Sequence, residues 1–143
     1  MTLRQISVFL ENKKGRLSEA LGLVAREKIN IRALALADTA DFGVLRLIVN
    51  DTEKCIAALK KAGFVAQKTE VLAVEISDRP GGLERVLEVF DRADLNIEYL
   101  YAFVERRADN AIVIFRTDQP EKAAKALAGE GITVLNEEAV EKL

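Results

Sequence analysis

Apolar residues fall at every second position at the start of the chain, through Ile6, Val8 and Leu10. This period of two predicts a strand. The rhythm then changes: Leu17, Ala20, Leu21 and Val24 follow i, i+3, i+4, i+7 spacing, which predicts a helix with one apolar stripe facing a core. A second strand is expected over Asn30–Ala37, a polar hairpin loop over Asp38–Phe42 and a third strand over Val44–Val49. A second helix follows and is closed by Gly63, at a position favoured for a left-handed cap. Phe64–Gln67 reads as a fourth strand.

The same rhythm then recurs. Leu72, Val74 and Ile76 alternate, and Leu83, Val86, Leu87 and Phe90 form a helical stripe. Asn96–Phe103 and Ala111–Arg116 read as strands around a loop at Glu105–Asp109, within which Arg106-Arg107 reads as a solvated pair. Asp118 is expected to cap the next helix, with Pro120 in its first turn and Glu121 completing an Asp-x-x-Glu box. Gly131 closes that helix, Ile132–Leu135 reads as a strand, and Asn136–Leu143 as a short amphipathic tail.

The recurrence extends to residue identity. Residues 5–37 and 71–103 align at a constant offset of 66, with eight of 33 positions identical, among them Gly15/Gly81, Leu17/Leu83, Asn30/Asn96 and Ile31/Ile97. The offset grows to 68 at Gly63/Gly131, and the slips fall between periodic segments, where loops absorb length changes. The chain therefore reads as two domains, 1–69 and 70–143, each ordered βαββαβ. The predicted fold is α+β: two tandem ferredoxin-like units, each with its helices on one face of an antiparallel sheet. No Gly or Pro interrupts Phe64–Ser77, so the last strand of one copy is expected to run into the first of the next, with a bend near Lys68–Glu70. Units joined so closely are expected to pack together.

Composition narrows the chemistry. The 143 residues carry 21 Lys+Arg against 23 Asp+Glu, a net charge of −2, which argues against nucleic-acid binding through a broad basic surface. There is no histidine, which removes the commonest general base, the commonest zinc ligand and every Ser-His or Cys-His pair. The single cysteine, Cys55, rules out an internal disulfide and fits a reducing, cytoplasmic setting; a buried structural thiol is its simplest reading. No stretch has the ~18 apolar residues of a membrane span, and no signal-peptide pattern opens the chain. No metal or cofactor is expected.

Candidate chemistry gathers at the duplicated glycine turn after the first strand of each copy, Asn12-Lys13-Lys14-Gly15-Arg16-Leu17 and Asp78-Arg79-Pro80-Gly81-Gly82-Leu83. A strand end, a tight turn and a helix N-terminus leave backbone N–H groups that favour a carboxylate, while Asn12 or Asp78 suits an ammonium or an amide. A zwitterionic amino acid needs both kinds of group close together. The same residues also fit a plain turn and helix cap without a ligand. Asn30 and Asn96 open the second strands, where Asn serves a loop structurally or reaches a ligand in a neighbouring loop. Tyr99, Tyr101 and Phe103 share one strand face and suit an interface or a pocket wall.

The pattern strand–(N/D)xxxGxL–helix–NI–strand resembles the ACT domain, a small amino-acid-binding regulatory module, and it occurs twice. The first copy, over about residues 5–34, also resembles the N-terminal segment of acetolactate synthase regulatory subunits. The resemblance implies a binding module rather than a catalyst. It implies side-by-side pairing at the second-strand edge, a homodimer, and an amino acid held at the interface between paired ACT domains, between the glycine turn of one and a strand of its neighbour. Carried over by position, the ligand contacts are Asn12, Gly15, Arg16, Leu17 and Asn30 in the first copy, and Asp78, Gly81, Gly82, Leu83 and Asn96 in the second. Lys14 replaces the usual proline, and Arg16 puts a cation at the mouth that would attract an acidic ligand or block the site. The resulting expectation is a sensor that modulates a separate metabolic enzyme. The alternative is an enzyme's structural subunit without its own ligand site.

Overall fold

The computed structural model describes residues 2–38, 41–103 and 107–143. Parts of both expected hairpin loops, including Glu105 and Arg106, lie outside them. The chain divides into two compact units, Arg4–Thr69 and Glu70–Leu143, with Leu3 grouping with the second.

The first unit contains β1 (Leu3–Glu11), α1 (Arg16–Arg26), β2 (Ile31–Asp38), β3 (Phe42–Val49), α2 (Thr52–Lys61) and the start of β4 (Val65–Ser77). Its strand order is β2-β3-β1-β4. The second unit contains the rest of β4, then α3 (Gly82–Arg92), β5 (Ile97–Ala102), β6 (Asn110–Thr117), α4 (Pro120–Gly129), β7 (Val134–Leu135) and α5 (Glu137–Glu141). Its order is β5-β6-β4-β7. The pairings of β1 and β2 with β3, of β5 with β6, and of β4 with β6 and β7 are all antiparallel. Both units are thus the ferredoxin-like α+β arrangement expected from the periodicity.

Each sheet buries one face under its two helices. In the first unit Ile6, Val8 and Leu10 of β1 and Leu45 and Leu47 of β3 pack with Ala20 and Val24 of α1 and Leu59 of α2. In the second, Leu72, Val74 and Ile76 of β4 pack with Val86, Val89 and Phe90 of α3. Phe90 stacks on Phe115 of β6 with ring centroids 5.2 Å apart. Tyr99 and Tyr101 pair with Arg116 and Ile114 on the opposite face, and their rings lie 6.5 Å apart. Apolar residues remain exposed on and next to the edge strand β2, at Leu34, Leu36 and Phe42.

The duplication is written in the backbone as well as in the residues. Gly15 and Gly81 both take positive φ, as do Lys28 and Asp94, and as do Gly63 and Gly131. β2 and β5 each carry a register shift at the same place, between Ile31 and Ala33 and between Ile97 and Tyr99. The four long helices end alike. The N–H of Ile29, Phe64, Leu95 and Ile132 bonds the carbonyl of Val24, Leu59, Phe90 and Leu127, five residues back. This is the Schellman closure, and each such pair is buried, supplying the apolar contact that accompanies it. At α2 and α4 the left-handed position holds glycine; at α1 and α3 it holds Lys28 and Asp94, which bear the strain of a Cβ.

Two local expectations are corrected and a third, the amphipathic tail, is made specific. Asp118 does not cap α4. The helix begins at Pro120 with Gln119 as its N-cap, and the Asp118 carboxylate instead lies 3.0 Å from the Thr117 hydroxyl, whose hydrogen it shares with the Asn96 carbonyl at 2.7 Å. The Thr117 hydroxyl is the main cause holding the Asp118 carboxyl below its usual range. The last strand is shorter than Ile132–Leu135, because the Schellman closure consumes Ile132 and pairing with β4 covers only Val134 and Leu135. The tail is a helix, α5: the Asn136 side chain accepts from the Ala139 N–H at 2.8 Å, and Val140 is buried.

Substitutions at the closures should separate strain from contact. Lys28→Gly is expected to raise unfolding stability by about 1 kcal/mol, and Gly63→Ala to lower it by about 1 kcal/mol. Urea unfolding followed by circular dichroism checks both, and a loss in Lys28→Gly would contradict the strain argument.

Candidate ligand sites at the glycine turns

Each first strand must reverse direction within a few residues to lay a helix on the sheet. Gly15 and Gly81 are the N-caps of α1 and α3, with φ of 89° and 83°. A Cβ at either would meet nothing within 4 Å, so glycine is needed here for conformation rather than room. Neither helix has a side-chain hydrogen bond at its N-cap. Gly82 differs: a Cβ there would sit 2.0 Å from the Ser77 carbonyl oxygen, so close backbone packing requires this glycine. Arg16 holds the matching position in the first copy. The Arg16 N–H bonds the Lys13 carbonyl at 3.3 Å, against 3.0 Å from Gly82 to Arg79.

The first turn borders a cavity of about 290 Å³ lined by Leu10, Glu11, Asn12, Lys13, Leu17, Leu36 and Gly43. It lies towards β2 and β3. Glu11 and Lys13 pair at 2.8 Å, and the Lys13 ammonium, by hydrogen bond first and charge second, holds the Glu11 carboxyl below its usual range. Arg16 does not line this cavity. Its guanidinium bonds Glu19 at 2.8 Å and lies over the Phe64 ring, 5.0 Å from the centroid, so its charge is engaged within the unit.

The second turn borders a larger cavity, about 570 Å³, and a different side of the fold. Its walls are the end of β4 at Glu75–Ser77, the turn at Arg79–Gly82, Arg85 and Val86 of α3, Asn110 of β6, and Gly131–Thr133 ahead of β7. Arg79 donates through Nε to the Ser77 hydroxyl at 2.6 Å, and Arg85 through Nη2 to the Glu130 carbonyl at 3.1 Å.

Of the residues singled out from sequence, Asn12 and Leu17 line the first cavity, and Gly81 and Gly82 the second. Gly15, Arg16, Asp78 and Leu83 belong to the turns but line neither of these cavities. Asn30 and Asn96 lie at the far end of their helices, about 16 Å along an 11-residue helix from the glycines. There the Asn30 N–H bonds the Asn50 side chain at 3.0 Å, and the Asn96 carbonyl accepts the Thr117 hydroxyl at 2.7 Å. Those bonds close the helix–strand connection against the end of β3 or β6. Glu75, Arg85 and Asn110 escaped the sequence reading, and Arg79 entered it only as part of the turn. Helical spacing three residues past Gly82 would have found Arg85; nothing local points to Asn110.

Among the described residues no group of three or more His, Cys, Asp or Glu is placed to hold a metal ion, and no helix is long and apolar enough to cross a membrane. Cys55 is buried, and desolvation pushes its thiol up from 9.0 to about 11.

A family model described as an ACT domain pair matches residues 1–143. The crystal structure of a protein from Bacteroides thetaiotaomicron is 37% identical, with a TM-score of 0.93, over 100% of this chain and 98% of that one. The ligand-free regulatory subunit of aspartate kinase from Thermus thermophilus shares the fold at 14% identity and a TM-score of 0.62, over 88% of this chain and 90% of that one. The aspartate kinase of Clostridium acetobutylicum matches at 13% identity and a TM-score of 0.53, over 90% of this chain but 33% of its own. Among curated proteins none matches the chain.

Two outcomes test this local chemistry. Gly82→Ala should lower stability by about 1–3 kcal/mol through overpacking against Ser77, measured by urea unfolding. Cys55 should resist Ellman's reagent at pH 8 until the chain unfolds. Because its thiol titrates higher when folded, its contribution to stability is intact below pH 9.0 and is lost as pH rises towards about 11.

Proposed function

The chain belongs to the ACT domain pair family, and from that premise we propose that it is a non-catalytic amino-acid-binding regulator of a separate metabolic enzyme. In this reading residues 1–69 and 70–143 are the two ACT domains. The observation that carries it is that each glycine turn borders a cavity of a size for small metabolites. The first cavity has leucine walls and a charge pair that cancels, which suits an amino acid with a small apolar side chain. The turns supply donors for a carboxylate, and Asn12 an amide for the ammonium end. The fold is shared with a protein described as the regulatory subunit of aspartate kinase, which is in keeping with a partner in amino-acid metabolism. For binding to signal, the ligand must favour one of two states that the partner enzyme reads.

The proposal includes a cytoplasmic homodimer paired along β2, where Leu34 and Leu36 leave apolar surface on an unpaired edge.

Isothermal titration of the full chain against the twenty amino acids tests the reading, and at least one is expected to bind. No heat with any of them at millimolar concentration would leave a structural subunit of an enzyme as the better reading. Size-exclusion chromatography with light scattering is expected to give twice the chain mass.

A further inference from the structure

Resting on that reading, we propose that the second unit's cavity selects an acidic α-amino acid, aspartate or glutamate, with its two carboxylates at Arg79 and Arg85 and its ammonium at Glu75. The side chains that carry formal charge on this cavity's wall are Glu75, Arg79 and Arg85, two cations and one anion, and Arg107 approaches Glu75 at 3.5 Å from outside the wall, which adds to the excess of cations. An amino acid with a neutral side chain brings one charge of each sign and leaves a guanidinium unmatched. An acidic amino acid brings two anions and one cation, the complement of the wall. The first cavity has no such excess, because Glu11 and Lys13 cancel there.

Geometry supports the assignment. The Glu75 side chain is only 16% exposed and is held from two sides. Its Oε1 accepts from Asn110 Nδ2 at 2.9 Å, and its Oε2 faces Arg107 Nη1 at 3.5 Å. A carboxylate offers about four acceptor positions, so capacity for an ammonium remains. Arg79 and Arg85 are each anchored through one nitrogen, to Ser77 and to the Glu130 carbonyl. A guanidinium has five N–H donors, so each keeps a face able to grip a carboxylate with two parallel bonds. All three groups are therefore positioned before a ligand arrives, which lowers the entropic cost of binding. A volume of about 570 Å³ accommodates either acid with water.

Isothermal titration of the full chain with L-aspartate, L-glutamate, L-asparagine, L-glutamine, succinate and glutarate tests the proposal. One of the acids should bind about tenfold or more tightly than its own amide, and than the dicarboxylate that lacks its ammonium. Arg79→Gln and Arg85→Gln should each weaken it about tenfold or more. Glu75→Gln should abolish the preference over the dicarboxylate. Melting curves of the unliganded variants show which remain folded; if Arg85→Gln does not, Arg79→Gln carries the test alone. Equal binding of acid and amide, equal binding of acid and dicarboxylate, or unchanged affinity in folded Arg79→Gln overturns the proposal. If a neutral amino acid binds and is insensitive to Arg79→Gln, this assignment falls and the regulatory reading stands. If none of the twenty binds, both fall.

Discussion

The reversal between the first strand and first helix of each unit is the constraint from which the rest follows. The strand must end, turn and present a helix whose apolar stripe lands on the sheet. A left-handed residue does this in the fewest steps, and only glycine adopts that conformation without strain. Gly15 and Gly81 set where α1 and α3 begin, and so which residues of those helices face Ile6, Val8 and Leu10, or Leu72, Val74 and Ile76. The Schellman closures at the other helix ends complete the unit by returning the chain to the sheet. The backbone amides left at the turn, and the cavities beside it, are consequences of the same reversal.

Duplication kept this frame and changed what it carries. Backbone features repeat closely, down to the positive φ of Lys28 and Asp94, where neither copy uses glycine. Side chains diverge where the frame tolerates it. Arg16 stands where Gly82 must be glycine, and its charge is taken up by Glu19 and Phe64. Glu11 stands opposite Ser77 in the alignment and pairs with Lys13, whereas Ser77 anchors Arg79. A near-neutral, leucine-walled cavity towards β2 in one copy thus corresponds to an arginine-bearing cavity towards β7 in the other. For a member of the ACT domain pair family, this means two turns of one pattern with differently charged cavities beside them.

Much of this was legible in the residues alone, because burial imposes period. Alternation at Ile6, Val8 and Leu10 and the 3.6-residue stripe of Val86, Leu87 and Phe90 can satisfy one sheet face and one helix face and little else. Glycines 15, 63, 81 and 131 were readable because left-handed backbone has few occupants. The misreadings were local. Asp118 looked like a cap, but a capping residue is chosen by the backbone angle at the helix start, and the Thr117 hydroxyl competed for its carboxylate. Apart from these misreadings, Asn30 and Asn96 each sit a helix length from the glycine of their own copy, because the strand they open begins where the helix ends, so a ligand they reach would lie in a neighbouring loop.

The sequence by itself determined the element order, the duplication, the apolar faces and the positions of the turns. Each of these depends on neighbours within about a dozen residues, or on a repeat that can be counted. Only the tertiary structure decided which polar groups meet. Glu75 reaches Asn110 across a strand pairing 35 residues apart in the chain, and Arg85 meets a carbonyl 45 residues away at the close of α4. Such contacts depend on register and on how a helix end sits over a sheet, and no local period encodes them. For the same reason the charge balance of each cavity emerges only once the chain is folded.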